Sequence, residues 1–131
     1  MAGQTAVVTA SLKVGGLTIG GATEIVTSDA AKVLTVEIPA LTTDKEVDFV
    51  ITKSEVKAFA VECDKAVTLD ANKANTPDFT LSVAAGGVPS IWTINSSFAN
   101  PITANVTKFF VTNASTFPAI LKLGVLTDIT P

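Results

Sequence analysis

Four side chains that carry oxygen ligands lie close together in the middle of the chain: Asp70, Asn72, Asn75 and Asp78. Carboxylate and amide oxygens are ligands that Ca²⁺ prefers, so this cluster is the first candidate for metal chemistry. Its spacing differs from that of an EF-hand, which would need a glycine at Asn75 and a glutamate at Leu81. Aspartate and asparagine also form turns through hydrogen bonds to nearby backbone. We therefore predict a loop here, and no metal site.

Two carboxylate pairs have the spacing that places both side chains on one face of a strand: Glu46 with Asp48, and Glu62 with Asp64. Such a pair could supply a general acid and a general base. Both pairs occupy the positions that alternate with apolar residues, so we place them on a solvated face. The single thiol, Cys63, lacks a base that could activate it, and we expect it to act as a small buried apolar residue.

The composition narrows the possible functions further. The chain has no His, Arg or Tyr, so it lacks the usual acid/base group at neutral pH and the usual fork for phosphate and carboxylate. Its net charge is −3 and its lysines form no cluster, which argues against binding to nucleic acid. We expect no enzymatic activity, no cofactor, no nucleic-acid partner, no membrane span and no signal peptide.

Apolar residues are more abundant than charged ones to an unusual degree. They make up 47% of the chain against 16% charged residues, whereas about 25% charged residues is ordinary. The mean hydropathy is +0.48. Two explanations remain open. Either small Ala, Val and Thr side chains fill a β core, or a second subunit covers part of an apolar surface, or both hold together.

Apolar and polar residues alternate with period two through most of the chain, which predicts half-buried strands. Turn signals recur about every ten residues, among them Gly15-Gly16, Gly20-Gly21, Ser28-Asp29, Thr43-Asp44 and Gly86-Gly87. We predict an all-β protein: a single antiparallel β-sandwich, jelly-roll-like or Ig-like, with about eight to ten short strands and no substantial helix. Residues 1–131 form one domain, with the N-terminal residues as a candidate extended arm. Residues 28–32 are expected to form a loop or one helical turn.

The stretch of residues 106–111 departs from strict alternation, and the single tryptophan also needs a role. Phe109 and Phe110 are adjacent, so a strand would point one into the core and leave the other to be covered by a loop or by a neighbouring subunit. Trp92 shares a face with Val88 and Ile94 and is either a core residue or an exposed anchor.

Four segments carry a resemblance to a known family: IPALTTDKEV (38–47), VKAFAVECDKAVTLD (56–70), NPITANVTKFFVTNAS (100–115) and LGVLTDITP (123–131). The region that they span, from residue 38 to residue 131, resembles small β-sandwich virion structural proteins of tailed bacteriophages, and the resemblance covers about two-thirds of the chain. Relatives often carry Tyr or Arg in the later strands, where this chain has Phe109, Phe110 and Lys122. The shared pattern consists of strands and turns, and contains no catalytic motif.

The resemblance implies a structural virion protein, made in the host bacterial cytoplasm. We expect a capsid decoration (cement) protein on the surface of the virion capsid. Its partners would be the major capsid protein of the same phage and further copies of itself in a homotrimer. A tail or neck component, and a carbohydrate-binding or adhesion module, are the alternatives. The candidate interface residues are Val7, Val8, Trp92, Phe98, Phe109 and Phe110.

Overall fold

A computed structural model describes residues 3–28 and 30–128, and within these ranges the protein is an all-β sandwich. One 3₁₀ turn, Lys53–Glu55, is the only helical segment in the described ranges. The ten strands found there are β1 (Gln4–Val14), β2 (Leu17–Ser28), β3 (Ala30–Ile38), β4 (Thr42–Ile51), β5 (Val56–Cys63), β6 (Val67–Ala71), β7 (Thr80–Val83), β8 (Ser90–Thr93), β9 (Val106–Asn113) and β10 (Ala119–Thr127).

The strands form three antiparallel sheets. Two four-stranded sheets make the sandwich: a first sheet in the order β3-β10-β5-β8 and a second sheet in the order β4-β9-β6-β7. The remaining two strands, β1 and β2, pair only with each other within the described ranges, and we call them the N-terminal hairpin. The predicted antiparallel sandwich is therefore confirmed, and the N-terminal residues 4–28 form a hairpin outside its two sheets.

The core lies between the two sheets and follows the predicted alternation. Phe109, Leu69 and Leu121 have no exposed surface at all. The ring of Phe79 packs edge-on against that of Phe109, with the centroids 6.2 Å apart. Burying each such large side chain contributes about 1.5–3 kcal/mol, so the inward-facing residues of the two sheets supply most of the driving force for folding.

The structure corrects three of the predicted turns and loops. The expected loop or helical turn at residues 28–32 is wrong, because β3 begins at Ala30 and pairs with β10 from there. Gly20-Gly21 lies inside β2, and Thr43-Asp44 inside β4. At both places the strand pairing shifts register, so these residues form irregularities within strands. Asp29, part of a further predicted turn, lies outside the described residues.

Candidate interaction surface

Asn72, Asn75 and Asp78 of the oxygen-rich cluster lie in the loop that joins β6 to β7, and Asp70 lies near the end of β6. Asn72 donates hydrogen bonds from Nδ2 to Asp78 Oδ2 (2.7 Å) and to the carbonyl of Asn105 (2.8 Å). Asp70 accepts a hydrogen bond from the Thr80 hydroxyl at 2.8 Å. The hydrogen bond from Asn72 is the main cause that lowers the pKa of Asp78. Within residues 3–28 and 30–128, no group of three His, Cys, Asp or Glu residues could hold a metal ion.

The two carboxylate pairs also bind protein groups. Glu46 lies on the exposed face of the second sheet and pairs with Lys108, which raises the pKa of the lysine. Asp64 Oδ1 accepts a hydrogen bond from the backbone N–H of Ile120 at 2.7 Å, which is the main cause that lowers the pKa of the aspartate. Cys63 is buried, as predicted, and burial raises the pKa of its thiol.

The structure separates the two adjacent phenylalanines of β9. Phe109 is 0% exposed and belongs to the core, so it cannot be an interface residue. Phe110 points outward from the second sheet and is half-buried. Its cross-strand partners are Glu46 and Asp70, so it lies within a largely polar sheet face.

Trp92, a residue of β8, and Phe98 lie together on the side of the sandwich where β7 and β8 are the edge strands of the two sheets. Trp92 is half-buried, packs against the core and donates a hydrogen bond from Nε1 to the carbonyl of Phe98 at 2.9 Å. Phe98 is 82% exposed. Both line a cleft of about 300 Å³. Val88 and Ile94, which flank strand β8, are 63% and 49% exposed.

The N-terminal hairpin crosses the outer face of the first sheet. Val26 of β2 packs on Ala58 and Leu126 in a second, smaller apolar cluster. Two residues earlier, Glu24 accepts hydrogen bonds from Thr93 Oγ1 at 3.0 and 3.1 Å. The contacts of β2 therefore move from β10 and β5 to β8 within two residues. Adjacent strands are about 4.8 Å apart and a strand advances about 3.3 Å per residue, so β2 runs across the strands beneath it.

This crossing leaves a groove of about 230 Å³ beside β1. One wall is the outer edge of β1, where Val7 and Val8 line the groove. The floor is a row of residues aligned across the four strands of the first sheet. From β3 to β8 the row is Val33, Gly124, Ala60 and Ile91, each opposite the next in the strand register.

The outward face of the N-terminal hairpin also carries one exposed apolar pair. Val7 and Ile25 are cross-strand partners that face away from the sandwich, and they are 65% and 64% exposed. Sequence reasoning identified Val7 and Val8 but missed Glu24 and the groove floor. Residues such as Gly124 carry no sequence signal of their own, because the groove exists only where the hairpin crosses the sheet.

Comparisons with protein-family models, with curated proteins and with solved structures found no match to this chain. Among the described residues, no helix is both long enough and apolar enough to cross a membrane.

Proposed function

We propose that this protein is a non-enzymatic structural protein of a bacteriophage virion, and that it decorates and stabilises the assembled head as a homotrimer. The observation that carries the proposal is the apolar surface on one side of the molecule. The outward pair Val7 and Ile25 and the groove beside β1 lie on the same side of the first sheet. Exposed apolar patches of this kind mark surfaces that bind other proteins. The resemblance to virion β-sandwich proteins supports the same class.

The energetics suit a decoration protein. A protein that binds the assembled lattice more tightly than the separated subunits stabilises the lattice by linkage. Cyclic self-association would present several copies of the same apolar surface to the shell, and repeated contacts add avidity. Sandwich, hairpin and groove are held in one geometry by buried contacts, so little ordering entropy is lost when the surface binds.

Co-sedimentation with expanded, empty heads of the encoding phage tests this proposal. The wild-type protein should sediment with the heads, and Ile25→Asp should weaken that binding at least tenfold because it places a charge within the apolar surface. Val50→Asp is the matched control, since Val50 is also an exposed strand residue but lies on β4. If the wild-type protein stays in the supernatant, or if a map of the virion places the chain in the tail or neck, the head assignment is wrong.

A recognition module is the second candidate, and one specific observation favours it. Trp92 and Phe98 line a cleft together with three hydroxyl side chains, Thr80, Ser82 and Ser90. Aromatic faces with neighbouring hydrogen-bonding groups are suited to carbohydrate. Binding on a glycan array that is lost in Phe98→Ala would favour this function. The decoration role predicts no glycan binding.

A further inference from the structure

The groove beside β1 has the features of a site for an added strand. The outer edge of β1 is not paired with any other strand in the described ranges, so its backbone N–H and C=O groups remain open to a partner. The apolar row from Val33 to Ile91 runs alongside this edge as a floor. An extended segment placed there would bond to β1 through its backbone and would rest alternate side chains on the row.

The centre of the floor is open because its residues are small. Gly124 and Ala60 occupy the middle of the row, between Val33 and Ile91. A Cβ added at Gly124 would come no closer than 3.9 Å to Val33 Cγ1, which is an ordinary contact. The floor can therefore accept side chains from above, and a Cβ at Gly124 begins to fill that space without a clash.

The same chain carries a strand pair whose described side chains are exposed. We call residues 10–22 of the N-terminal hairpin its distal half. Lys13, Leu17 and Thr18 are exposed there, Leu17 to 63%. Glu24 reaches the edge strand β8 through Thr93, so the distal half continues beyond that edge. None of the described side chains of the distal half lines the groove of its own molecule.

The floor of the groove and the distal half of the hairpin have similar lengths. The row from Val33 to Ile91 crosses four strands, which are three spacings of about 4.8 Å, or about 14 Å. Strand β1 continues five residues from Thr9 to Val14, which at about 3.3 Å per residue gives about 17 Å. One distal half is long enough to cover one groove.

We propose that the distal half of the hairpin of one copy binds in the groove of a second copy, as a strand added to the edge of β1. The contact is head-to-tail, because each copy gives its distal half to one neighbour and receives that of another. Contacts of this type close into a ring when the rotation between copies allows it. The inference specifies the interface for the self-association in the proposed function, but it does not depend on binding to a phage head.

Two variants isolate the two sides of the contact. Gly124→Val fills the groove and leaves the hairpin intact. In a short-hairpin variant, Asn-Gly replaces residues 10–22 and links the paired residues Thr9 and Thr23 by a two-residue turn, which leaves the groove intact. Circular dichroism and urea unfolding will check that each variant is folded.

Two exposed valines provide a matched pair of variants. Val33→Asp places a charge in the groove, and Val50→Asp places the same charge on β4 as its control.

Light scattering after size exclusion, at up to a few hundred micromolar protein, gives the result. Wild type and Val50→Asp should be oligomeric, whereas Gly124→Val, Val33→Asp and the short-hairpin protein should each be monomeric. A mixture of the Gly124→Val and short-hairpin proteins should form a one-to-one dimer and nothing larger, because only one functional contact can form between them. A monomeric wild type, an oligomeric Gly124→Val protein, or a mixture that does not pair would overturn the inference.

Failure of this inference and failure of the proposed function are distinguishable. If wild type forms the predicted contact in solution but ignores phage heads, the proposed function fails and the inference stands. If Gly124→Val remains oligomeric while wild type still sediments with heads, the inference fails and the decoration role stands.

Discussion

Adjacent residues on β9 illustrate how strand geometry assigns different roles to identical side chains. Phe109 fills the core between the two sheets, while Phe110 lies outside among the polar residues of the second sheet. The side-chain period of a strand is two, so a single step along the backbone moves a phenyl ring from the core to the surface. Substitutions at these two positions should therefore differ sharply in their cost.

Phe109→Ala should lower the free energy of unfolding by about 3–5 kcal/mol, because it removes a fully buried ring and leaves a cavity. Phe110→Ala should cost about 1 kcal/mol or less, since it removes only cross-strand contacts on a solvated face. Urea unfolding followed by circular dichroism measures both. Equal losses for the two variants would contradict the assignment of Phe109 to the core.

Asp64 and Asp78 should make stability depend on pH in acid. Hydrogen bonds from Ile120 and Asn72, respectively, lower the pKa of each carboxyl in the folded state below the unfolded value of about 3.9. The two ionised carboxyls therefore contribute fully to the free energy of unfolding above about pH 4. That contribution is lost as the pH falls through their lowered folded-state pKa values. The free energy of unfolding should decrease below pH 4, and Asp64→Asn should make that decrease less steep.

Carboxyl carbon NMR shifts provide a direct check on this pH dependence. In the wild type, the titration midpoints of Asp64 and Asp78 should lie below the ordinary aspartate value. Asn72→Ala removes the main hydrogen-bond donor to Asp78 and should raise that midpoint while leaving the midpoint of Asp64 unchanged. A midpoint for Asp78 that Asn72→Ala does not move would rule out this hydrogen bond as the cause.

At the scale of elements, the position of the N-terminal hairpin depends on a few contacts. Glu24 accepts hydrogen bonds from Thr93 and from Asn95, the latter at 2.6 Å. Val26 adds the apolar contact with Ala58 and Leu126. These interactions hold the proximal half of the hairpin, which comprises residues 4–9 and 23–28, on the first sheet. They also fix the direction of β1, and thereby the width of the groove beside it.

Glu24→Ala should loosen the hairpin without unfolding the sandwich. Hydrogen bonds to a charged group contribute about 1.5–3 kcal/mol, so amide exchange in β1 and β2 should accelerate by about tenfold or more. Exchange in the second sheet should not change. Glu37→Ala serves as the control, because Glu37 is an exposed glutamate on β3 of the first sheet, away from the hairpin's hydrogen bonds. Uniform acceleration across all strands would show that the hairpin does not open as a separate unit.

The elements that sequence reasoning predicted are those whose burial alternates cleanly. The runs 47–51, 59–63 and 121–125 each place their alternate large residues in the core, as expected from period two. Ala30 and the two residues after it were missed, because small and charged residues there carry no alternation. Their strand conformation comes from pairing with the end of β10, which is remote in sequence.

The candidate site was predictable only in part, for a related reason. Val7 and Val8 stood out because they are large, apolar and adjacent in an N-terminal segment. Ala60 and Gly124 did not, since their importance lies in the space that they leave open and in the strand that crosses near them. Such a feature depends on tertiary structure, and local composition does not report it.

At the scale of the whole molecule, strand order makes the two ends of the chain unequal. The hairpin, β1 and β2, lies on the outside of the sandwich and contributes no strand to either four-stranded sheet. β10, near the other end of the chain, is an inner strand of the first sheet and pairs with β3 on one side and β5 on the other. It also places Leu121 and Leu123 in the core.

Truncation from the two ends should therefore have opposite outcomes. Removing residues 1–28 should leave a folded sandwich with a cooperative unfolding transition, because both sheets and the main core remain. Its stability should fall by only a few kcal/mol, since Ala58 and Leu126 lose their cover. Removing residues 119–131 deletes less than half as many residues but separates β3 from β5 and exposes the core, so that variant should not fold. Near-UV circular dichroism and amide exchange distinguish a folded from an unfolded truncation. If the protein without residues 1–28 is unfolded, or the protein without residues 119–131 is folded, the strand order does not determine stability.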